Sequence, residues 1–115
     1  MKIFKKSCGD PWFTLLQIGK KRVEGRLCVG DFSKMDAGDQ IIFYNNNFNI
    51  YREFKCEIVR IKKYDNFTTY LQKEKVSKCL PSINNIEDAL KVYHTYFSKI
   101  DEEKYGVVAV HIKII

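Results

Sequence analysis

The segment Gly19–Arg26 holds the residues of this sequence whose types and spacing could do chemistry. Glu24 and Arg26 are two residues apart, so on a strand their side chains lie on the same face. In a fully extended chain Lys21 would lie on the opposite face, but a loop after Gly19 can bring its side chain back towards Glu24 and Arg26. We therefore expect one of two arrangements: a polar cleft for a nucleobase or a phosphate, or a salt bridge between Glu24 and Arg26 that fixes the fold and binds no ligand.

In a ligand-binding cleft, each charged side chain has an expected role. Arg26 donates two parallel hydrogen bonds to a phosphate or a base carbonyl, and Glu24 accepts from the amino group of a base or holds Lys21 in place. Lys21 supplies a positive point charge, and in an enzyme Lys21 and Glu24 would be the catalytic residues. Lys20 and Arg22 flank the cleft and contact backbone phosphates. Each such contact adds about one unit to the slope of log affinity against log salt concentration.

Two aromatic side chains are further candidates for the cleft. Trp12 could stack on a base, although its place in a short amphipathic helix favours core packing. Tyr96 lies three residues beyond Tyr93, which belongs to an apolar helical stripe, so Tyr96 could line the cleft. Neither His94 nor His111 has a neighbour at the spacing of a catalytic triad. We therefore add Trp12 and Tyr96 to the expected ligand-binding residues.

Several kinds of cofactor are not expected, because the sequence lacks their motifs. The four cysteines, at positions 8, 28, 56 and 79, have no zinc-binding spacing, and we expect reduced and mostly buried thiols. The six glycines are scattered and form no phosphate-binding loop, so nucleotide-dependent chemistry is not expected. The sequence thus predicts neither a metal nor another cofactor.

The composition favours a folded domain with a basic face. The length of 115 residues predicts a single domain over residues 1–115. Lys and Arg number 20 against 14 Asp and Glu, and residues 1–34 hold eight of the basic residues but three of the acidic ones. This asymmetry suggests a positive face for phosphates or another polyanion. Apolar runs are too short to span a membrane and the first residues show no secretory pattern, so we expect an intracellular protein, cytoplasmic or nuclear, that binds no membrane.

Hydrophobic periodicity and turn residues predict alternating strands and helices. One helix begins with Asp10 as its N-cap and Pro11 at its first helical position, and Gly19 ends it. A strand over 56–64 needs a β-bulge near Val59 to keep its apolar residues on one face. The remaining predicted elements are strands over 2–6, 21–27, 40–44 and 105–115 and helices over 66–73 and 85–99. This order predicts an α+β fold around a small, mixed and closed sheet.

The eight residues from Gly19 to Arg26 also fit the pattern G-x-K-x-x-E-x-R, and in this respect the chain resembles the ASCH domain family of the PUA-like superfamily. Further motifs carry the same resemblance: Pro11-Trp12-Phe13, Gly38-Asp39, Leu80-Pro81 and the closing run over 105–110. The resemblance covers roughly residues 3–114. It implies a PUA-like small mixed β-barrel with flanking short helices.

The resemblance also implies a function that involves RNA. Proteins of this family have been connected with transcription coactivation, with ribonuclease activity and with removal of the acyl group from acetylated cytidine. In the small bacterial amidohydrolases of this family, a lysine, a threonine three residues later and a downstream glutamate are catalytic. Lys21 matches that lysine, Glu24 occupies the threonine position, and Glu87 and Asp88 are the candidates for the downstream acid.

Three functions remain open from the sequence. The first is an RNA-binding or nucleotide-handling domain with a positively walled cleft, which makes RNA or a nucleotide the expected partner. The second is a metal-independent hydrolase that acts on a modified nucleoside, such as acetylated cytidine, or on RNA. The third is a non-catalytic interaction adaptor, in which the charged residues are structural.

Overall fold

The computed structural model describes residues 1–115, which form five strands and five short α-helices around one curled sheet. The strands are β1 (Ile3–Ser7), β2 (Val23–Leu27), β3 (Gln40–Asn45), β4 (Arg52–Tyr64) and β5 (Val107–Ile114). The helices are α1 (Trp12–Gln17), α2 (Phe67–Glu74), α3 (Val76–Cys79), α4 (Ile86–Tyr96) and α5 (Lys99–Tyr105). Single 3-10 turns occupy Gly30–Ser33 and Asn47–Asn49. No helix has the length and apolar content needed to cross a membrane.

The strands form one mixed sheet in the order β1-β3-β4-β5-β2. β1 pairs with β3 in parallel, and every other neighbouring pair is antiparallel. The sheet curls into half a barrel, and its two edges, β1 and β2, approach each other where Arg26 Nη2 donates to the Ser7 carbonyl at 2.9 Å. The predicted α+β fold, a small mixed barrel-like sheet with flanking short helices, is therefore confirmed, but the sheet is half a barrel and is not closed, because β1 and β2 do not pair.

Strand β5 is buried on both faces and divides the apolar core into two clusters. Val108, Val110 and Ile112 pack inside the curl of the sheet, against α1 and the inner faces of β3 and β4. Val107 and Ala109 point the other way and pack under α2 and α4. A strand covered on both faces needs consecutive apolar residues, which explains the unbroken run at the start of β5.

Several predicted boundaries are wrong by a few residues. Helix α1 begins at Trp12, and Pro11 occupies its N-cap position, although the carboxylate of Asp10 still accepts from the backbone N–H of Thr14 at 3.0 Å. The predicted helix over 85–99 ends at Tyr96, because Phe97 is extended and Ser98 caps a separate helix, α5.

Further differences concern the strands and one short helix. Tyr105 ends α5, so the closing strand starts later than predicted, and the short helix α3 had no clear sequence signal. Strand β4 begins at Arg52, earlier than the predicted start at residue 56. The bulge at Val59 is confirmed, because the register of β4 against β5 shifts between Ile58 and Arg60.

Gly25 marks the closest approach between the sheet and the helices. A Cβ atom at this position would lie 2.5 Å from the ring of Tyr70 on α2. The Tyr70 ring is fully buried and its hydroxyl shares a 2.8 Å hydrogen bond with that of Tyr93, so the ring has little room to retreat. A glycine is therefore required here for steric reasons.

We predict that Gly25→Ala destabilises the protein by about 1–3 kcal/mol, because the added methyl group overpacks the contact with Tyr70. Urea unfolding followed by circular dichroism measures this loss. Gly9→Ala is the matched control, since a Cβ atom at Gly9 meets nothing within 4 Å. Equal stabilities for the two variants would contradict the proposed steric role of Gly25.

Candidate functional site

Strand β2 brings Glu24 and Arg26 to one face, as the sequence predicts. Arg26 Nε donates to the carboxylate oxygen Glu24 Oε2 at 3.0 Å, and Arg26 Nη2 lies 2.9 Å from the same oxygen in an ion pair. Lys21 Nζ lies 3.3 Å from the other oxygen, Glu24 Oε1. Lys21 is 1% exposed and Glu24 is 5% exposed, so the carboxylate is buried between two cations. We call these three side chains the ion cluster.

Lys21 reaches the ion cluster because the chain turns sharply after α1. Gly19 has a φ of +79°, in the left-handed region, and the backbone N–H groups of Lys20 and Lys21 both donate to the Leu15 carbonyl. This turn sends the Lys21 side chain inward, where Nζ donates to the Val23 carbonyl at 2.6 Å and to the carbonyl of Cys79 at the end of α3. With Glu24 Oε1 at 3.3 Å, three protein oxygens surround the ammonium group.

The charges of the ion cluster hold Glu24 and Arg26 in their ionised forms. Burial acts to raise the pKa of Glu24, but the attraction of Arg26 and Lys21 outweighs it, so the net effect lowers this pKa. Burial likewise acts to lower the pKa of Arg26, and the neighbouring Glu24 carboxylate turns the net effect into a rise. Two cations and one anion leave the cluster with a net charge of +1.

Cys8 lies beside the ion cluster, in surroundings that disfavour its thiolate form. Its Sγ lies 3.9 Å from Glu24 Oε2. Burial and the Glu24 carboxylate raise the pKa of this thiol to about 12. Because the thiolate is the reactive form, this raised pKa disfavours Cys8 as a nucleophile at neutral pH.

The ion cluster lies at the wall of a cavity of about 310 Å³. The cavity is bounded by the end of β1, the start of α1, strand β2 and the last turns of α4. Its lining residues are Ser7, Cys8, Gly9, Trp12, Lys21, Glu24, Gly25, Arg26, Leu80, Val92, Tyr93, Tyr96 and Phe97. The result is a half-apolar, aromatic pocket with one charged wall.

Five of the seven predicted ligand-binding residues line this cavity: Trp12, Lys21, Glu24, Arg26 and Tyr96. Trp12 also packs against both core clusters, so core packing and cavity lining are not exclusive for this residue. Tyr96 is 59% exposed, whereas Tyr93 is buried.

The other two predicted residues, Lys20 and Arg22, are exposed and do not line the cavity. Arg22 borders a separate surface groove, and its Nε donates to the Gly19 carbonyl. Glu87 and Asp88 are exposed in the first turn of α4, outside the cavity. A phosphate-binding role for Lys20 and Arg22 stays a prediction.

The contribution of β1 to the cavity was not predictable from the sequence. Ser7, Cys8 and Gly9 line it only because β1 and β2 meet as the two edges of the curled sheet. Nothing in the local pattern of residues 7–9 indicates that meeting. The nearest available signal was their position directly after a predicted strand.

No group of three or more His, Cys, Asp and Glu side chains is arranged to hold a metal ion. The cavity offers one carboxylate, and both of its oxygens are occupied by Lys21 and Arg26. The chemistry of this site is therefore that of hydrogen bonds, fixed charge and aromatic surface.

The chain belongs to the ASCH domain family, whose family model matches residues 7–115. Among solved structures, it is similar to the crystal structure of hypothetical protein PH0355, with 32% sequence identity and a TM-score of 0.87 over 98% of this chain and 99% of that one. It is also similar to the solution NMR structure of protein PF0455 from Pyrococcus furiosus, with 28% identity and a TM-score of 0.78 over 98% and 97% of the two chains. The search of curated proteins found no significant match.

We predict that Glu24→Gln destabilises the protein by about 3–5 kcal/mol, because it leaves Lys21 and Arg26 buried without a counter-charge. Chemical unfolding at pH 7 measures this loss. The matched control is Asp31→Asn, which removes a carboxylate from the more exposed pair with Lys6 and is expected to be nearly neutral. A Glu24→Gln variant as stable as the control would show that the ion cluster contributes nothing to stability.

The lowered pKa of Glu24 also predicts a pH dependence. Since the folded-state pKa lies below the unfolded value of about 4.5, the Glu24 carboxylate stabilises the fold fully above that pH. This contribution is lost as the pH falls through the lower folded-state pKa. We therefore expect the stability difference between the wild type and Glu24→Gln to be large at pH 7 and to shrink below about pH 4.5. A difference that stays constant down to pH 3 would contradict the ionised state of Glu24.

Proposed function

We propose that the protein binds single-stranded RNA and takes one nucleotide of the strand into the cavity. The observation that carries this proposal is a buried ion cluster with a net positive charge in the wall of an aromatic cavity. RNA-binding domains commonly hold unstacked bases on aromatic rings and fix them by hydrogen bonds to their edges. Membership of the ASCH family supports the same function.

Arg26 is the residue best suited to contact the nucleotide. Its bonds to Glu24 and to the Ser7 carbonyl use Nε and Nη2, which leaves the hydrogens of Nη1 for a ligand. Because Glu24 has both oxygens engaged, the cluster offers donors and positive charge more readily than acceptors. The cavity therefore favours a ligand atom that accepts hydrogen bonds, such as a base carbonyl or a phosphate oxygen.

The size and lining of the cavity fit one nucleotide better than several. A volume of about 310 Å³ is near the lower end of the range for small-molecule sites, roughly 300–1,000 Å³. Trp12 and Tyr96 supply aromatic surface on which a base can stack. Exposed Lys20 and Arg22 lie outside the cavity, where they are available to neighbouring phosphates.

Hydrolysis of a modified nucleoside is less well supported than binding. A lysine that attacks a carbonyl must bring its Nζ to the carbonyl carbon, and the Lys21 Nζ is already surrounded by three protein oxygens. Glu24 is likewise held by two cations and cannot easily accept a proton. In this arrangement Lys21 and Glu24 position Arg26, so we expect binding of acetylated cytidine without release of acetate.

Binding of nucleoside monophosphates tests the proposal, with the fluorescence of Trp12, the only tryptophan, as the reporter. We predict a saturable change for the wild type and at least about tenfold weaker binding for Arg26→Lys, which keeps the charge but loses the planar fork of donors. Lys20→Ala is the matched control, because it removes a positive charge outside the cavity and is expected to keep most of the affinity.

Two outcomes would contradict a nucleotide site in the cavity. One is the absence of any saturable change in the wild type, which favours the adaptor function. The other is a loss of affinity in Lys20→Ala with none in Arg26→Lys, which would show that binding depends on general positive charge and not on the donor geometry of Arg26. Unfolding curves for each variant confirm that the proteins compared are folded.

A further inference from the structure

At the tip of the hairpin between β3 and β4, an exposed aromatic residue has an unfavourable backbone conformation. Phe48 is 93% exposed and has φ and ψ of 59° and 25°, in the left-handed region. A bulky residue is rarely found there, since its Cβ is crowded by the backbone. Asparagine would suit the position better, and Asn49, also at positive φ, follows it. Strained exposed residues of this kind are more common at functional sites than elsewhere.

Beside the tip, the outer face of the sheet carries two stacked tyrosines under a lysine. The rings of Tyr44 and Tyr51 are 6.1 Å apart between centroids and 21° from parallel. Lys5 Nζ lies 5.4 Å from the centroid of each ring. Tyr51 is 50% exposed. Flat rings beside a cation match the two needs of a single-stranded nucleic acid, which are base stacking and phosphate neutralisation.

This surface adjoins the mouth of the cavity. Ser7, which lines the cavity, is paired with Tyr44 in the register of β1 and β3, about one strand spacing away. The backbone N–H of Cys8 donates to the Tyr44 carbonyl at 2.9 Å. The buried amide of Asn45 donates to the Cys8 carbonyl at 2.9 Å and accepts from the N–H of Asn47 at 2.9 Å, which fixes the hairpin tip to the cavity rim.

We propose that Lys5, Tyr44, Phe48 and Tyr51 form a second nucleic-acid-binding surface, which holds the nucleotides next to the one in the cavity. We call it the hairpin surface. The inference rests on the proposed function, since it assigns the path of the same RNA strand. Glu53 is exposed and is paired with Tyr44 across β3 and β4. Its carboxylate repels phosphates, so it limits the hairpin surface on one side and directs the RNA strand towards Lys5 and the hairpin tip.

The test compares two ligands, a labelled single-stranded RNA octamer and a mononucleotide, in the wild type and in Phe48→Asn. The octamer is followed by fluorescence anisotropy and the mononucleotide by calorimetry. We expect Phe48→Asn to weaken octamer binding at least about fivefold, the equivalent of about 1 kcal/mol for one lost stacking contact, and to leave mononucleotide binding unchanged. Because asparagine tolerates a positive φ, the melting temperature should not fall.

Two matched variants separate stacking from general apolar contact. Phe48→Tyr keeps an aromatic ring and is expected to bind the octamer as the wild type does. Ile50→Asn removes a 61% exposed apolar side chain from the same loop without removing a ring, and is also expected to bind normally.

Three outcomes would overturn the inference. If Phe48→Asn binds the octamer as tightly as the wild type, the cavity acts without the hairpin surface and the proposed function stands. If Ile50→Asn weakens binding as much as Phe48→Asn, the tip is a general apolar contact, such as a protein-docking surface. If the wild type binds neither ligand, the proposed function itself fails, and the inference falls with it.

Discussion

The burial of Glu24 between Lys21 and Arg26 is the interaction on which the rest of the structure depends. A buried carboxylate costs several kcal/mol unless charges and hydrogen bonds compensate it. Here the two compensating cations are close to Glu24 in sequence, but they also bind carbonyl groups of β1, β2 and α3. The ion cluster therefore fixes the relative positions of these elements. Because the same elements bound the cavity, the cluster sets the shape of the cavity as well as its charge.

The fold was predictable where the signal was local. The apolar stripe of α4 and the break at Val59 in the alternation of apolar and polar residues are visible in the sequence. The structure has a helix at the first position and a β-bulge at the second. The end of α4 was not predictable in this way, since Phe97 continues the apolar stripe although its backbone is extended. Periodicity records which side chains are buried, and Phe97 is still packed against the core after the helix has ended.

The candidate site was predictable only in part, for a similar reason. The shared face of Glu24 and Arg26 follows from the period of a strand and needs no tertiary structure. The burial of Lys21 depends on the carbonyl of Cys79, which lies 58 residues further along the chain. The exposed ring of Phe48 gave no periodic signal, because it lies in an irregular loop. Residues placed by long-range contacts or by backbone strain need the structure to reveal them.

The most direct measurement is an NMR titration with a nucleoside monophosphate, observed at the side-chain Nε–H of Arg26 and the indole N–H of Trp12. If the ion cluster forms the wall of a nucleotide site, both signals shift together and saturate at one Kd, while the Nε–H of the exposed Arg22 remains unchanged. If the Arg22 signal shifts and those of Arg26 and Trp12 do not, the nucleotide contacts only the outer surface. The ion cluster would then be structural alone, and the cavity would not be a nucleotide site.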